Sequence, residues 1–219
     1  MRWNFESNIL IAIEVIAVEV PFKSLAVANR FIELGNESGN KLTLLKLLEV
    51  VYFAHGWHLA LTDEKPLIDD TIEAWKFGPA APTIYHSFKE YDSEPIAKLG
   101  SEADIAQFGL GTDMKDFVEK NIVDFMTPVL ERSDFIDKFI GRIWEIYGSM
   151  SAIQLSLLTR QTGTPWHTIW FEKGGSKHKG TVIPDSLIAN YFKGQLVPKS
   201  GPLQLQPAKP WRTTMGLQP

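Results

Sequence analysis

The chain contains no cysteine among its 219 residues. Disulfides, thiolate nucleophiles, iron–sulfur clusters and every Cys-containing zinc site are thereby excluded. The same absence fits a reducing compartment, and the sequence reads as that of a cytoplasmic protein. Long uncharged hydrophobic runs are missing as well. Asn8 to Val20 is apolar, but Glu14 and Glu19 interrupt it, and it falls short of a bilayer's thickness. It is expected to be a strand or short helix packed on the body or docked on a partner, not a signal peptide or membrane anchor. A basic excess is lacking too: 22 Lys and Arg stand against 26 Asp and Glu, a net charge of −4. The tail beyond Gly194 holds Lys199, Lys209 and Arg212 and no acid, so the body carries −7 once these three are set aside. Sequence-independent nucleic-acid binding needs a basic footprint, so none is expected. An acidic body suits a basic protein partner, although most acidic domains are simply soluble.

Enzyme signatures are absent in turn. There is no phosphate loop of the G-x-x-x-x-G-K-[ST] type and no G-x-S-x-G nucleophile elbow. Gly109-Leu110-Gly111 follows no predicted strand and is no dinucleotide fingerprint. His55 and His58 lie three apart on one long helix, where two imidazoles could share a metal with His86 or Asp69. No glutamate stands between them as in a zincin, and no third ligand is set by spacing. They read as packed, hydrogen-bonded histidines. Glu73 and Glu90 read as solvated carboxylates. No catalytic, cofactor or metal residues are therefore assigned.

What is present is a foldable chain, 44% hydrophobic and 22% charged. Area scaling gives roughly 10,000 Å² accessible when folded against about 36,000 Å² unfolded, enough for a self-sufficient core. Ser24 is placed as a helix cap, with Val27, Phe31 and Leu34 on one face and Gly35 as the stop. Thr43 caps a long helix to about Leu61 that is apolar nearly all round, hence central. Gly56 inside it implies close approach of another backbone. Thr71 to Phe77 reads as a strand ended by Gly78-Pro79, and Gly180 to Ile183 as a possible second one. Ile84, Phe88 and Tyr91 mark another helix. Asp92 to Asp113 reads as a surface excursion, and Asp113 as the cap of a helix ended by Pro128. Asp134 precedes a strongly periodic helix closed by Gly148. Ser151 and Gln154 have capping-box spacing, and Thr164-Pro165 is a cap followed by proline at the first helical position. A last helix opens at Pro184-Asp185 and ends at Gly194. The final 25 residues hold five of the 13 prolines and are expected to form a flexible tail. No internal repeat is present. The fold class expected is mainly α with a small β-sheet, a compact helical domain around one long central helix.

Aromatic residues crowd into one region: Tyr52, Phe53, Trp57, Trp75, Phe77 and Tyr85. Most are expected in the core, and some at an interface, where tryptophan and tyrosine contribute large rigid contact area.

These residues carry a resemblance. Lys46-Leu47, then Val51-Tyr52-Phe53-Ala54-His55-Gly56-Trp57-His58-Leu59-Ala60-Leu61, resembles the Panacea domain of SocA-like antitoxins and phage-associated GepA-like proteins. The similarity continues through Lys65-Pro66-Leu67-Ile68, Glu73-Ala74-Trp75-Lys76-Phe77-Gly78-Pro79, Pro82, Tyr85-His86 and Phe88-Lys89. It resumes at Trp144-Glu145-Ile146-Tyr147-Gly148, Ser151-Ala152, Gln154-Leu155-Ser156 and Leu158-Thr159, then Gly163, Pro165-Trp166, Trp170 and Ile183-Pro184. Three dense blocks recur in order across residues 24 to 194. The family usually has a proline near Leu44, polar residues near Leu48-Glu49 and a histidine at Arg160. Here the helix is more apolar, and Arg160 stands where that histidine is common.

The resemblance implies an antitoxin, frequent in prophages, that binds and neutralises a protein toxin, usually one encoded next door. It implies no enzyme and no DNA-binding domain, and the residues themselves give no reason to expect a cofactor, a membrane or direct nucleic-acid binding. The domains expected are an extension over 1–22, a Panacea domain over 23–194 and a Pro-rich tail over 195–219. Partner binding is expected at Trp75, Lys76, Gly78, Pro79, Pro82 and Tyr85. Tyr52, His55, Gly56, Trp57 and Trp166 are expected to be structural. The alternatives are a proteolytic adaptor that delivers a toxin to an unfoldase-protease, using the tail as a tether, and a metal-dependent hydrolase on His55, His58 and His86.

Overall fold

The computed structural model describes residues 20–101, 127–131, 133–178, 180–197 and 204–205. Seven α-helices occur among them: α1 Ser24–Glu37, α2 Leu44–Leu61, α3 Pro82–Phe88, α4 Asp134–Tyr147, α5 Ala152–Thr159, α6 Pro165–His167 and α7 Asp185–Gly194. Two pairs of short antiparallel strands accompany them: β1 Glu73–Trp75 with β2 Gly78–Ala80, and β3 Leu196–Val197 with β4 Gln204–Leu205. The mainly helical α+β architecture is thus present. The expected segments over 1–19, the helix from Asp113, most of the excursion before it and most of the tail lie outside the described residues.

Helix α2 is the hub. Its sequence is apolar on every side, and only Leu45, Ala60 and Leu61 escape burial. An all-round apolar helix can be satisfied only by neighbours on every face. Here α1, α4, α5, α7 and β2 all pack on it. Thr43 caps its start by accepting the Lys46 N–H. The aromatic cluster closes on α7 and α4: Phe53 stacks on Tyr147 at 4.1 Å between ring centres, and Trp57 meets Phe192 edge-on at 5.0 Å. The Trp57 indole N–H donates to the Tyr147 hydroxyl at 2.9 Å, which satisfies both buried polar groups.

Two buried polar side chains tie the layers together. Lys46 donates to the Gly148 carbonyl at 2.6 Å and to Asn40 Oδ1 at 3.2 Å, so its ammonium caps the C-terminal end of α4. Burial lowers its pKa from the ordinary lysine value. Asn29 on α1 donates to the carbonyls of Gly100 and Pro128 at 2.9 and 3.0 Å and accepts the Gly100 N–H at 2.7 Å.

Several local expectations change in the folded chain. The strand expected over Thr71 to Phe77 is confined to Glu73–Trp75, because Lys76 and Phe77 form a two-residue turn. Gly78-Pro79 therefore does not end a strand but begins the next one, with Trp75 opposite Gly78 and Ala74 opposite Pro79. The segment Thr181 to Ile183 lies along the free edge of β1, where Ala74 N–H donates to the Thr181 carbonyl at 2.8 Å and Ile183 N–H to the Ile72 carbonyl at 2.7 Å. Gly35 does not stop α1, which runs on to Glu37; a side chain there would strike Leu42. Ser24 opens α1 rather than capping it, and its N–H donates to Asp69 Oδ1 at 2.9 Å. Gly56 admits the ring of Phe192, a side chain rather than a backbone.

Candidate partner-binding face

The β1–β2 turn stands between two other elements, and side-chain hydrogen bonds hold it there. On one side, the Ser156 hydroxyl of α5 donates to the Phe77 carbonyl at 2.6 Å. On the other, the Trp166 indole N–H of α6 donates to the Trp75 carbonyl at 2.7 Å. Helix α6 then widens into a π-helical turn over Thr168–Glu172. Trp166 stacks on Trp170 at 5.4 Å and meets Phe171 edge-on at 5.8 Å, and the Arg160 guanidinium lies 6.0 Å from its ring centre. Trp166 is thus a buried pivot ringed by α5, the hairpin and the π turn.

Trp75 is half-buried. Its indole N–H donates to Glu73 Oε2 at 2.7 Å, and its ring meets Tyr85 of α3 edge-on at 4.7 Å. Lys76 is exposed, with its ammonium 5.3 Å from the centre of the exposed Phe77 ring. Pro82 opens α3 and is half-buried, as is Tyr85. Gly78 and Pro79 are buried. The positive φ of this turn, +140°, falls on Gly78, where a glycine accepts it without strain.

Beneath the hairpin lies a row of buried polar groups on α2. Glu49, Tyr52 and His55 recur at intervals of three and share one side of the helix. A side chain at position 78 would collide with the Glu49 carboxylate. The Thr159 hydroxyl stands beside that carboxylate but donates to the Ser156 carbonyl at 3.1 Å. Neither Glu49 oxygen has a hydrogen-bond partner among the described residues. Burial raises the Glu49 carboxyl well above its usual range, and the nearby Arg160 charge draws it back only in part. The Tyr52 phenol is likewise held well above its usual value by burial, with Tyr191 and Glu49 adding to the effect.

A family model described as "Antitoxin SocA-like, Panacea domain" matches residues 44–167, more than half of the chain. The chain belongs to the SocA-like Panacea family. Among curated proteins, "Antitoxin SocA" of Caulobacter vibrioides (strain NA1000 / CB15N) is 31% identical over 177 residues, which cover 81% of this chain and 86% of that protein. No solved structure matches the chain. The Panacea match opens at the first residue of α2 and closes at the last of α6, so the hairpin and both tryptophans of the Trp75–Trp166 tie lie inside it. Family membership supports an antitoxin role.

In this Panacea protein the two histidines of α2 face different partners. His55 Nε2 stands 3.0 Å from Asp185 Oδ1 at the start of α7. His58 Nδ1–H donates to the Lys65 carbonyl at 2.8 Å, and its ring packs against Phe135 and Phe139. Burial lowers the His58 pKa to about 4. Among the described residues no group of three His, Cys, Asp or Glu side chains could hold a metal ion. No helix of the described residues is long and apolar enough to cross a membrane.

Tyr52, His55, Gly56, Trp57 and Trp166 are all buried. Of the residues expected at a partner surface, Lys76 is exposed, Trp75, Pro82 and Tyr85 are half-buried, and Gly78 and Pro79 lie beneath the surface. Phe77, one of the crowded aromatics, is exposed, and so are three apolar residues on the neighbouring elements that the sequence reading does not reach: Ile153, Leu157 and Phe171. A signal exists for Ile153 and Leu157. Helix α5 has apolar residues at 153, 155, 157 and 158, more than one buried face of an eight-residue helix can use.

Proposed function

We propose that this chain is a cytoplasmic antitoxin that neutralises a protein toxin by direct, stoichiometric complex formation, the toxin being encoded by the adjacent gene. The observation that carries this reading is the 31% identity, over 81% of the chain, to a protein named Antitoxin SocA. The proposal is for a binding protein acting without catalysis, cofactor or nucleic acid. The working surface is the end of the molecule around the hairpin. Lys76 contributes an exposed cation there, and Trp75, Pro82 and Tyr85 contribute half-buried rigid side chains. Gly78 and Pro79 act from beneath by setting the shape of the turn. A standard interface removes about 800 Å² from each partner, and a few aromatic or cationic anchors dominate its energy.

Co-expression with the neighbouring gene tests this. Inducing the neighbour alone should stop growth. Adding this chain should restore growth, and both proteins should co-purify as one complex. Restored growth with the neighbour degraded and no complex would replace occlusion by proteolytic delivery. A harmless neighbour that never co-purifies would overturn the proposal.

A further inference from the structure

Resting on that antitoxin reading, we propose that the partner docks on a face that spans the hairpin turn, α5 and the π turn, and inserts there an apolar segment flanked by carboxylates.

The face has an apolar centre. Phe77, Ile153, Leu157 and Phe171 are exposed by 62%, 69%, 55% and 61%. They account for four of the seven large hydrophobic side chains exposed among the described residues. They are not scattered. Ile153 and Leu157 are one helical turn apart on α5, on either side of Ser156 in sequence, and the hydroxyl of Ser156 holds Phe77. Phe171 packs on Trp166, whose indole N–H holds the same hairpin at Trp75. Exposed apolar side chains gathered on adjoining elements mark an interaction site more often than isolated ones do.

The rim has one dominant sign. Lys76 belongs to the turn, Arg160 covers Trp166 at the end of α5, and Lys173 and Lys177 follow the π turn. None of these four cations is within ion-pair distance of a carboxylate of the described residues. Two acids stand nearby, Glu172 with an oxygen 3.3 Å from His167 Nδ1 and Glu73 accepting the Trp75 indole N–H at 2.7 Å, and the four cations outnumber them. A chain of net charge −4 therefore presents a locally cationic edge around an apolar centre. Whole-chain charge pointed to a basic partner, and the local arrangement points the other way. The complement of a cationic rim is a carboxylate-bearing segment. Nucleic acid fits less well, because the net charge of −4 repels a polyanion at distance and, although Phe77 and Phe171 present rings, Ile153 and Leu157 offer no stacking surface.

The test measures the affinity of the full chain for the neighbouring gene's product at low and at raised salt. Leu157→Asp and the pair Lys76→Glu with Lys173→Glu are compared with Val129→Asp, an exposed position outside the three elements. Ile153→Asp serves as a second apolar variant, and thermal unfolding of each confirms the fold. Each variant on the face should weaken binding at least about tenfold. The charge pair should lose more at low salt than at raised salt. Val129→Asp should bind as the original chain does. A complex that tolerates all the face variants would overturn this inference and leave the antitoxin reading standing. Tighter binding by the charge pair would overturn the assigned sign of the partner. An oligonucleotide bound through the same residues, with the complex unaffected, would assign the face to nucleic acid and overturn it. A neighbour that never binds would overturn both readings together.

Discussion

The Trp166 indole N–H donates to the Trp75 carbonyl across 91 positions of sequence, at 2.7 Å. This bond joins α6 to a hairpin that otherwise has only two paired strands and one edge segment. A two-stranded hairpin has little stability of its own. Its position therefore depends on side chains reaching in from α5 and α6.

Replacing Trp166 by Phe keeps an aromatic ring and deletes the donor, which leaves the Trp75 carbonyl without that partner. A loss of about 1–3 kcal/mol is expected. Chemical denaturation should show it as a lower midpoint with an unchanged slope.

Gly78→Ala should destabilise by at least about 2 kcal/mol, since the position combines a positive φ with contact against buried Glu49. Only the contact can be relieved from the other side. Glu49→Ala should therefore recover part of the loss in the double variant. Strict additivity of the two single losses would refute the contact.

Glu49 makes stability depend on pH in a definite direction. Its folded-state pKa is raised by burial, so its contribution is fully present below about 4.5 and is lost as pH rises toward the folded value. Glu49→Gln should be more stable than the original chain at mildly alkaline pH, with the gap closing as pH falls to 4.5. Thermal unfolding across pH reads this directly.

His58 acts in the opposite sense. Its pKa falls from 6.5 to about 4 on folding, so its contribution is full above 6.5 and is lost as pH falls to about 4. The shift corresponds to roughly 3 kcal/mol. His58→Gln should flatten the acid limb of the stability profile over that window, and an unchanged limb would show that other groups set it.

Removing residues 206–219 spares the Leu196–Val197 and Gln204–Leu205 pairing. Under occlusion, the truncated chain should rescue growth as well as the full one. Loss of rescue with the complex intact would favour the adaptor reading.

Much of the helical layout was legible in local chemistry. The capping box of Ser151 and Gln154 is present, Thr164 caps the helix that Pro165 opens, and Gly148 and Gly194 close α4 and α7. Each signal is a few residues long and acts on backbone groups nearby, so it survives whatever packs around it. The hairpin escapes such local signals for the same reason. Seven residues of strand character in Thr71 to Phe77 do not reveal where the chain will turn, and the turn at Lys76-Phe77 is held by Ser156 and Trp166 from distant segments.

Composition limits, helix boundaries set by caps and prolines, the central place of an all-apolar helix and the family can all be read from the order of residues. Which apolar residues stay outside is set by long-range packing. Ile153 and Leu155 look alike in sequence, yet one is exposed and the other buried, because only one side of α5 meets α2. The same packing sets the environment of Glu49, an ordinary carboxylate until β2 and α5 close over it and remove the water that would hold its charge. Burial and local charge are sums over neighbours far apart in the chain, and those sums exist only once the chain has folded.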